Sequence, residues 1–179
     1  MLDLETLGTR IGSVIAVIGA VTFDPEKEIE IPERLVIPGT MQEHPFYTKV
    51  EVQSCYEAGL TTDPATIAWW YSQGKEARKE VFGENKRIAL KTALFRFSHW
   101  YLEHGATHIW AHGSIFDISL LQYAYEVTSS PVPWDFRNVR DTRTLFELAG
   151  MKYKSTDHHA LLDAYKQAQA VQQAYKMIS

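Results

Sequence analysis

Apolar and polar residues alternate from the first positions of the chain. In MLDLETLG, Leu2 and Leu4 interleave with Asp3 and Glu5, which predicts a short strand over Leu2 to Glu5. Such a strand turns its leucines to one face and its carboxylates to the other. A buried strand normally carries several apolar residues before its functional end, so a start a little upstream of Met1 is expected. The run SVIAVIGAVTF, Ser13 to Phe23, is rich in β-branched residues and predicts a long strand stopped by Asp24 and Pro25. Ile29 to Ile37, bounded by Pro32 and Pro38, predicts a third strand and completes a meander. From Gly39 to Thr62 the pattern is irregular and predicts no definite element.

Beyond this point the period becomes helical. Thr62, Asp63 and Pro64 form a helix start, with Asp63 as cap and Pro64 in the first position, leading to Ile67, Trp69 and Trp70. A short helix follows over Glu76 to Phe82. Arg87 to His104 places Ile88, Leu94, Phe95, Phe97, Trp100, Tyr101 and Leu102 at amphipathic spacing and closes on Gly105. His108 to His112 reads as a strand ended by Gly113, and Ile115 to Val127 as a helix with Leu120, Leu121 and Tyr125 inward. After a loop over Ser129 to Pro133, Phe136 to Arg140 is a last short strand. Thr142 to Ala149 is a helix ended by Gly150. A final helix over Asp157 to Tyr175 has Ser155, Thr156 and Asp157 as cap candidates. The predicted fold is a single α/β domain over residues 1–179: a five-stranded mixed sheet, three strands in a meander plus two further strands, flanked by helices.

Composition narrows the class. At 179 residues the chain can bury a real core, and 45% hydrophobic with 22% charged residues is ordinary for a globular protein. No apolar run approaches the ~20 residues that cross a bilayer. The first residues show neither the basic nor the apolar part of a signal peptide. Cys55 is the only cysteine, which excludes an internal disulfide and a multi-cysteine zinc cluster. A cytoplasmic location is the expectation. The net charge of −4 speaks against holding nucleic acid by bulk electrostatics. It leaves room for an enzyme whose acidic pocket is offset by bound cations.

The pattern acidic-x-acidic occurs at Asp3/Glu5, Asp24/Glu26, Glu26/Glu28 and Glu28/Glu30. The last three lie in the polar stretch FDPEKEIEIPE, where a solvated turn accounts for them. Only Asp3 and Glu5 sit among apolar residues, at the end of a strand, and oxygen-rich anionic sites of this kind suit Mg²⁺ or Mn²⁺. Asp117, in GSIFDISLL, falls in a first helical turn. It either stabilises that helix end through the dipole or serves as a further ligand. In DHHALLDA, His158 and Asp163 are five residues apart and do not share a helical face. They belong together if His158 sits on the turn before the helix. There a neutral imidazole beside water is a candidate general base; the plain alternative is a surface histidine pair and a routine helix aspartate.

The order Asp3-x-Glu5, Asp117, His158-x₄-Asp163 resembles the DEDDh (DnaQ-like) 3′–5′ exonuclease superfamily, whose fold is ribonuclease H-like. MLDLETLGTRIGSVIAVIGAVTFDP, TTDPATIAWW, GSIFDISLL and VRDTRTLFELAG look closer still to the exodeoxyribonuclease VIII-type phage and prophage group and its small exoribonuclease relatives. The resemblance implies two-metal-ion phosphodiester hydrolysis with two Mg²⁺ (or Mn²⁺) held by Asp3, Glu5, Asp117 and Asp163. His158 would accept the proton of the attacking water. It also implies single-stranded RNA or DNA 3′ ends as partners and a 5′-mononucleotide product, and it is compatible with a homodimer. A ribonuclease H-type endonuclease and a non-catalytic nucleic-acid-binding module are the competing readings. The histidine five residues before the last aspartate favours the exonuclease over the first, and the presence of all five residues favours it over the second.

By the same resemblance, Thr6, Leu7 and Gly8 would grip the terminal nucleotide; the alternative is a loop with Leu7 in the core. His112 and Phe116 flank Gly113 beside the expected site. Trp69 and Trp70 diverge by about 100° on a helix, so one can be core while the other stacks on a base. Trp70 is carried as a substrate-contact candidate. His159 is expected to be solvent-facing or packed, and Asp141 a helix cap. Arg137, Arg140, Arg143, Lys152 and Lys154 would form a basic rim or a solvated face.

Overall fold

A computed structural model describes residues 1–33, 35, 45–83, 86–154 and 157–179. Strand β1 (Leu2–Thr6) pairs antiparallel with β2 (Ile15–Ala20), which pairs antiparallel with β3 (Phe46–Val50); β3 is parallel to the two-residue β4 (Arg87–Ile88). Every residue of β2 is buried, as its central place requires. A separate two-stranded sheet pairs β5 (Ile109–Ala111) in parallel with β6 (Val139–Asp141), and β5 lies against β1. The expected five-stranded sheet is therefore a four-stranded mixed sheet plus a two-stranded one.

The third strand of the meander is Phe46–Val50, in the stretch that gave no definite pattern. Of the expected strand over Ile29 to Ile37, residues 29–33 and 35 are irregular, and 34, 36 and 37 lie outside the described residues. Ile29 hydrogen-bonds to side chains of the last helix: its N–H donates to Gln172 Oε1 at 3.0 Å and its carbonyl accepts from Gln169 Nε2 at 2.9 Å. Both edges of β2 are already taken by β1 and β3. The apolar alternation of this stretch serves instead to cover a helix, with Ile29, Ile31 and Leu35 on the second core cluster.

Helices α1 (Val52–Glu57), α2 (Pro64–Ser72) and α3 (Lys75–Phe82) follow the meander. Asp63 caps α2, accepting from Ala65 N at 2.9 Å. Helix α4 (Leu90–Glu103) starts three residues later than expected because Arg87 and Ile88 are taken by β4. It packs on β3 and on α5 (Ser114–Val127). Phe136–Asn138 is a 3₁₀ turn, so the expected strand over Phe136 to Arg140 is shifted towards its end. Helix α6 (Thr142–Leu148) is capped by Asp141 through Arg143 N at 2.8 Å. The last helix, α7 (Ala160–Ile178), is capped by His159; Asp157 precedes it, and Ser155 and Thr156 lie outside the described residues.

Two cores result. One joins the sheet to α4 and α5 through Leu2, Leu4, Ile18, Leu94, Phe97 and Leu121; the other lies under α7 around Leu161, Ala164, Ala168 and Val171. The sheet is thus covered on both faces.

Candidate active site

Antiparallel register decides what shares a face with the first carboxylates. Asp3 lies opposite Gly19 and Glu5 opposite Val17; Gly19 in turn lies opposite Tyr47, and Val17 opposite Lys49. Directly paired residues point to the same side. Asp3, Glu5, Tyr47 and Lys49 therefore stand on the α7 face, while Leu2 and Leu4 enter the core behind. A Cβ at Gly19 would lie 2.4 Å from Ala160 C and Leu161 N. The bare glycine is what lets the first turn of α7 rest on the sheet beside Asp3. Asp163 then projects from that turn, and Asp3, Glu5 and Asp163 offer ligand oxygens within 4.8 Å of one another.

Asp117 reaches the same region from the first turn of α5. Its Oδ1 accepts from Leu4 N at 3.1 Å, which fastens it to β1 between the two carboxylates. Burial, then repulsion from Asp117, Glu5 and Asp163, raises Asp3 well above the usual carboxylate range; a hydrogen bond from Gln167 pulls the other way. Glu5 is raised well above its usual value by burial, then by Asp163, Glu80 and Asp117. Asp117 is raised to about 7 by burial, against the hydrogen bond from Leu4. Clustered carboxylates with these properties call for a cation. An all-oxygen, multi-carboxylate donor set fits Mg²⁺ or Mn²⁺, so the residues present match the metal that the chain's pattern implies.

The spacing from His158 to Asp163 has a direct structural cause. Asp163 Oδ1 accepts from Asp157 N at 3.1 Å and Oδ2 from His159 N at 3.2 Å. One carboxylate thus clamps the turn on both sides of His158, whose φ of 55° lies in the left-handed region. The half-buried His158 packs edge to face on Trp69 and Trp70, at 5.0 and 5.5 Å between ring centres. His159 goes elsewhere: its ring stacks on Tyr47 at 5.5 Å, and its Nδ1 caps Leu162 N and lies 3.7 Å from Glu80.

A pocket of about 520 Å³ opens beside Glu5, lined by Leu4, Thr6, Thr9, Thr66, Trp69 and Phe116 among others. Its walls are mostly apolar, with a few hydroxyls and Asp63 at the rim.

A family model described as the 3′-5′ exoribonuclease Rv2179c-like domain matches residues 1–175. The chain belongs to this family. It is a 3′–5′ exonuclease of the DnaQ-like kind. The protein named exodeoxyribonuclease from Enterobacteria phage T4 is 26% identical over 165 residues, covering 82% of this chain and 70% of that protein.

The other residues singled out in the exonuclease's sequence fall in distinct places. Thr6 is buried, its hydroxyl donating to Gly8 O at 2.7 Å, and Gly8 has no room for a side chain because Ser13 Oγ would lie 2.4 Å from its Cβ. Leu7 is in the core at 4% exposure, so its side chain presents no wedge to a nucleotide. Trp70 is likewise core, 2% exposed, with its indole N–H donating to Thr6 O at 2.8 Å; Trp69, 44% exposed, is the indole free to stack. Phe116 lines the pocket. His112 is packed against Phe146 and Tyr153 and bonded to Thr142 at 2.7 Å, and burial lowers its pKa. Arg137 pairs with Asp135 and Arg140 bonds backbone carbonyls, while the Arg143 guanidinium lies over Gly113. Sequence reasoning missed Gly19, Gln167, the buried Glu80 and its half-buried partners Tyr47 and Lys49. A glycine inside a strand, and a polar residue four after Asp163 on the same helical face, were the available signals.

Proposed function

We propose that this exonuclease removes nucleotides from the 3′ ends of single-stranded nucleic acid by divalent-metal-dependent hydrolysis, releasing 5′-mononucleotides. The convergence of Asp3, Glu5 and Asp163 within 4.8 Å, with Asp117 fastened alongside, is the observation that carries the reading. Two Mg²⁺ or Mn²⁺ ions held by these four carboxylates would activate the attacking water and stabilise the leaving 3′ oxygen. His158, outside the carboxylate cluster and free of any capping duty, accepts the proton of that water at a ring nitrogen. Trp69 offers an exposed indole face for the terminal base, and Phe116 lines the pocket beside it. The placement of His158 on a clamped turn supports an exonuclease over a ribonuclease H-type endonuclease. RNA and DNA both remain in the substrate class, since the family is named for an exoribonuclease and the phage relative for an exodeoxyribonuclease.

The test is digestion of end-labelled single-stranded RNA, single-stranded DNA and duplexes with Mg²⁺ or Mn²⁺. Mononucleotides should appear stepwise from the 3′ end and stop on chelation. Undiminished release in excess EDTA would refute the metal-dependent mechanism, and internal cuts would favour the endonuclease.

A further inference from the structure

Gln167 is a buried amide at the edge of the carboxylate cluster, 4% exposed, on the α7 face one turn beyond Asp163. Residues four apart on a helix project from the same side. The contact Gly19 permits between α7 and the sheet therefore brings both side chains to β1. Gln167 Nε2 donates to Asp3 Oδ1 at 2.8 Å. In this orientation the amide N–H meets the Asp3 carboxyl group and the amide oxygen faces away from it. At the other end of the same amide, Gln167 Oε1 is buried and has no hydrogen-bond partner among the described residues. A buried acceptor left unpaired is costly, and such groups in native proteins usually serve a purpose.

We propose that Gln167 is a positioning residue of the metal centre: its amide N–H fixes the rotamer of Asp3 so that the remaining carboxylate oxygen faces the cations, and its unpaired oxygen is available to a water of the loaded site. The proposal rests on the metal-dependent reading above. A charge-assisted hydrogen bond from a rigid helix removes rotamer freedom that Asp3 would otherwise lose on binding metal. In the sequence this residue is one polar position among several on α7. Gln172, also buried, spends its amide on the backbone of the 24–29 segment, far along the helix from the carboxylates. Gln167 alone of the two touches a carboxylate.

The experiment is Mn²⁺ titration of metal-free wild-type protein, Gln167→Leu and Gln167→Met, by calorimetry and by activity as a function of Mn²⁺ concentration. Removing a group that orients a ligand typically costs about 10–100-fold in metal affinity. Both variants should show that loss, and near-normal turnover should return at saturating Mn²⁺. A purely structural glutamine would lower the melting temperature and leave the Mn²⁺ affinity of the folded protein unchanged; that result overturns the proposal while the metal-dependent reading stands. Absence of Mn²⁺ binding by the wild-type protein would remove both. A measurement on unaltered protein guards against variants that fail to fold: the Gln167 side-chain amide resonances should shift on Mg²⁺ addition. Resonances that stay in place when Mg²⁺ is bound would equally overturn the assignment.

Discussion

His158 carries a backbone conformation that non-glycine residues adopt at a cost, held by the two hydrogen bonds that Asp163 accepts on either side of it. Its neighbour spends its ring on capping α7 and on Tyr47. The two histidines should therefore fail in different ways. His158→Ala is expected to cut turnover by about 10²–10⁴-fold with Mn²⁺ binding retained, the usual contribution of a general base. His159→Ala is expected to cost about 1 kcal/mol of stability, as loss of a cap does, with a much smaller effect on turnover. Steady-state rates at saturating metal and thermal melts of both variants separate these outcomes; the larger loss of turnover in His159→Ala would reassign the base. At this scale the acidic pair was legible because Asp3 and Glu5 sit among leucines, unlike the other acidic pairs. Gln167 and Glu80 were not, because a buried polar side chain looks like any surface residue until its partner across the fold is known.

Among elements, α7 does most to assemble the site, and Gly19 governs how close it comes. The backbone atoms that a Cβ would meet at 2.4 Å belong to a helix start and cannot turn aside as a flexible side chain could. Gly19→Ala should push the first turn of α7 from the sheet, at about 1–3 kcal/mol for an overpacked core, and carry Asp163 and Gln167 away from Asp3. Melting and Mn²⁺ titration of the variant check this; a protein that melts lower but binds Mn²⁺ as tightly would show that the helix can tilt without moving Asp163. Helix positions were readable from period and caps, with Asp63 and Asp141 as the clearest cases. The third strand was misplaced because alternation describes any extended segment with one buried face. The stretch beginning at Ile29 lies on a helix, whereas Phe46–Val50, only five residues long and two residues short of α1, pairs with β2.

For the whole molecule, the order of motifs along the chain sufficed to name the family, while the division into two sheets depends on pairings that no local pattern encodes. The balance between protons and metal is also a property of the whole. Asp3 and Glu5 are held well above the ordinary carboxylate range and Asp117 is raised to about 7, in each case chiefly by burial. Unfolded carboxylates titrate near ~4. Between that value and about 7 the metal-free folded protein binds more protons than the unfolded chain, so its stability falls as pH rises through this window. His112 works in the opposite sense: burial lowers its pKa, so its share of stability is present above the unfolded value of ~6.5 and lost as pH falls. A melting curve at one metal condition therefore mixes the two. The difference between Mn²⁺ and EDTA at each pH cancels the histidine and isolates the carboxylates, because cations held by Asp3, Glu5 and Asp117 would compete with their protons. Metal-induced stabilisation should be small at pH 5 and grow towards pH 8, reaching about 2.7 kcal/mol where free metal is a hundred times its dissociation constant. Melts at pH 5, 6, 7 and 8, each with EDTA and with Mn²⁺, supply the difference. A stabilisation equal at every pH would mean that the ions bind away from the raised carboxylates, and that Asp3, Glu5 and Asp117 are not their ligands.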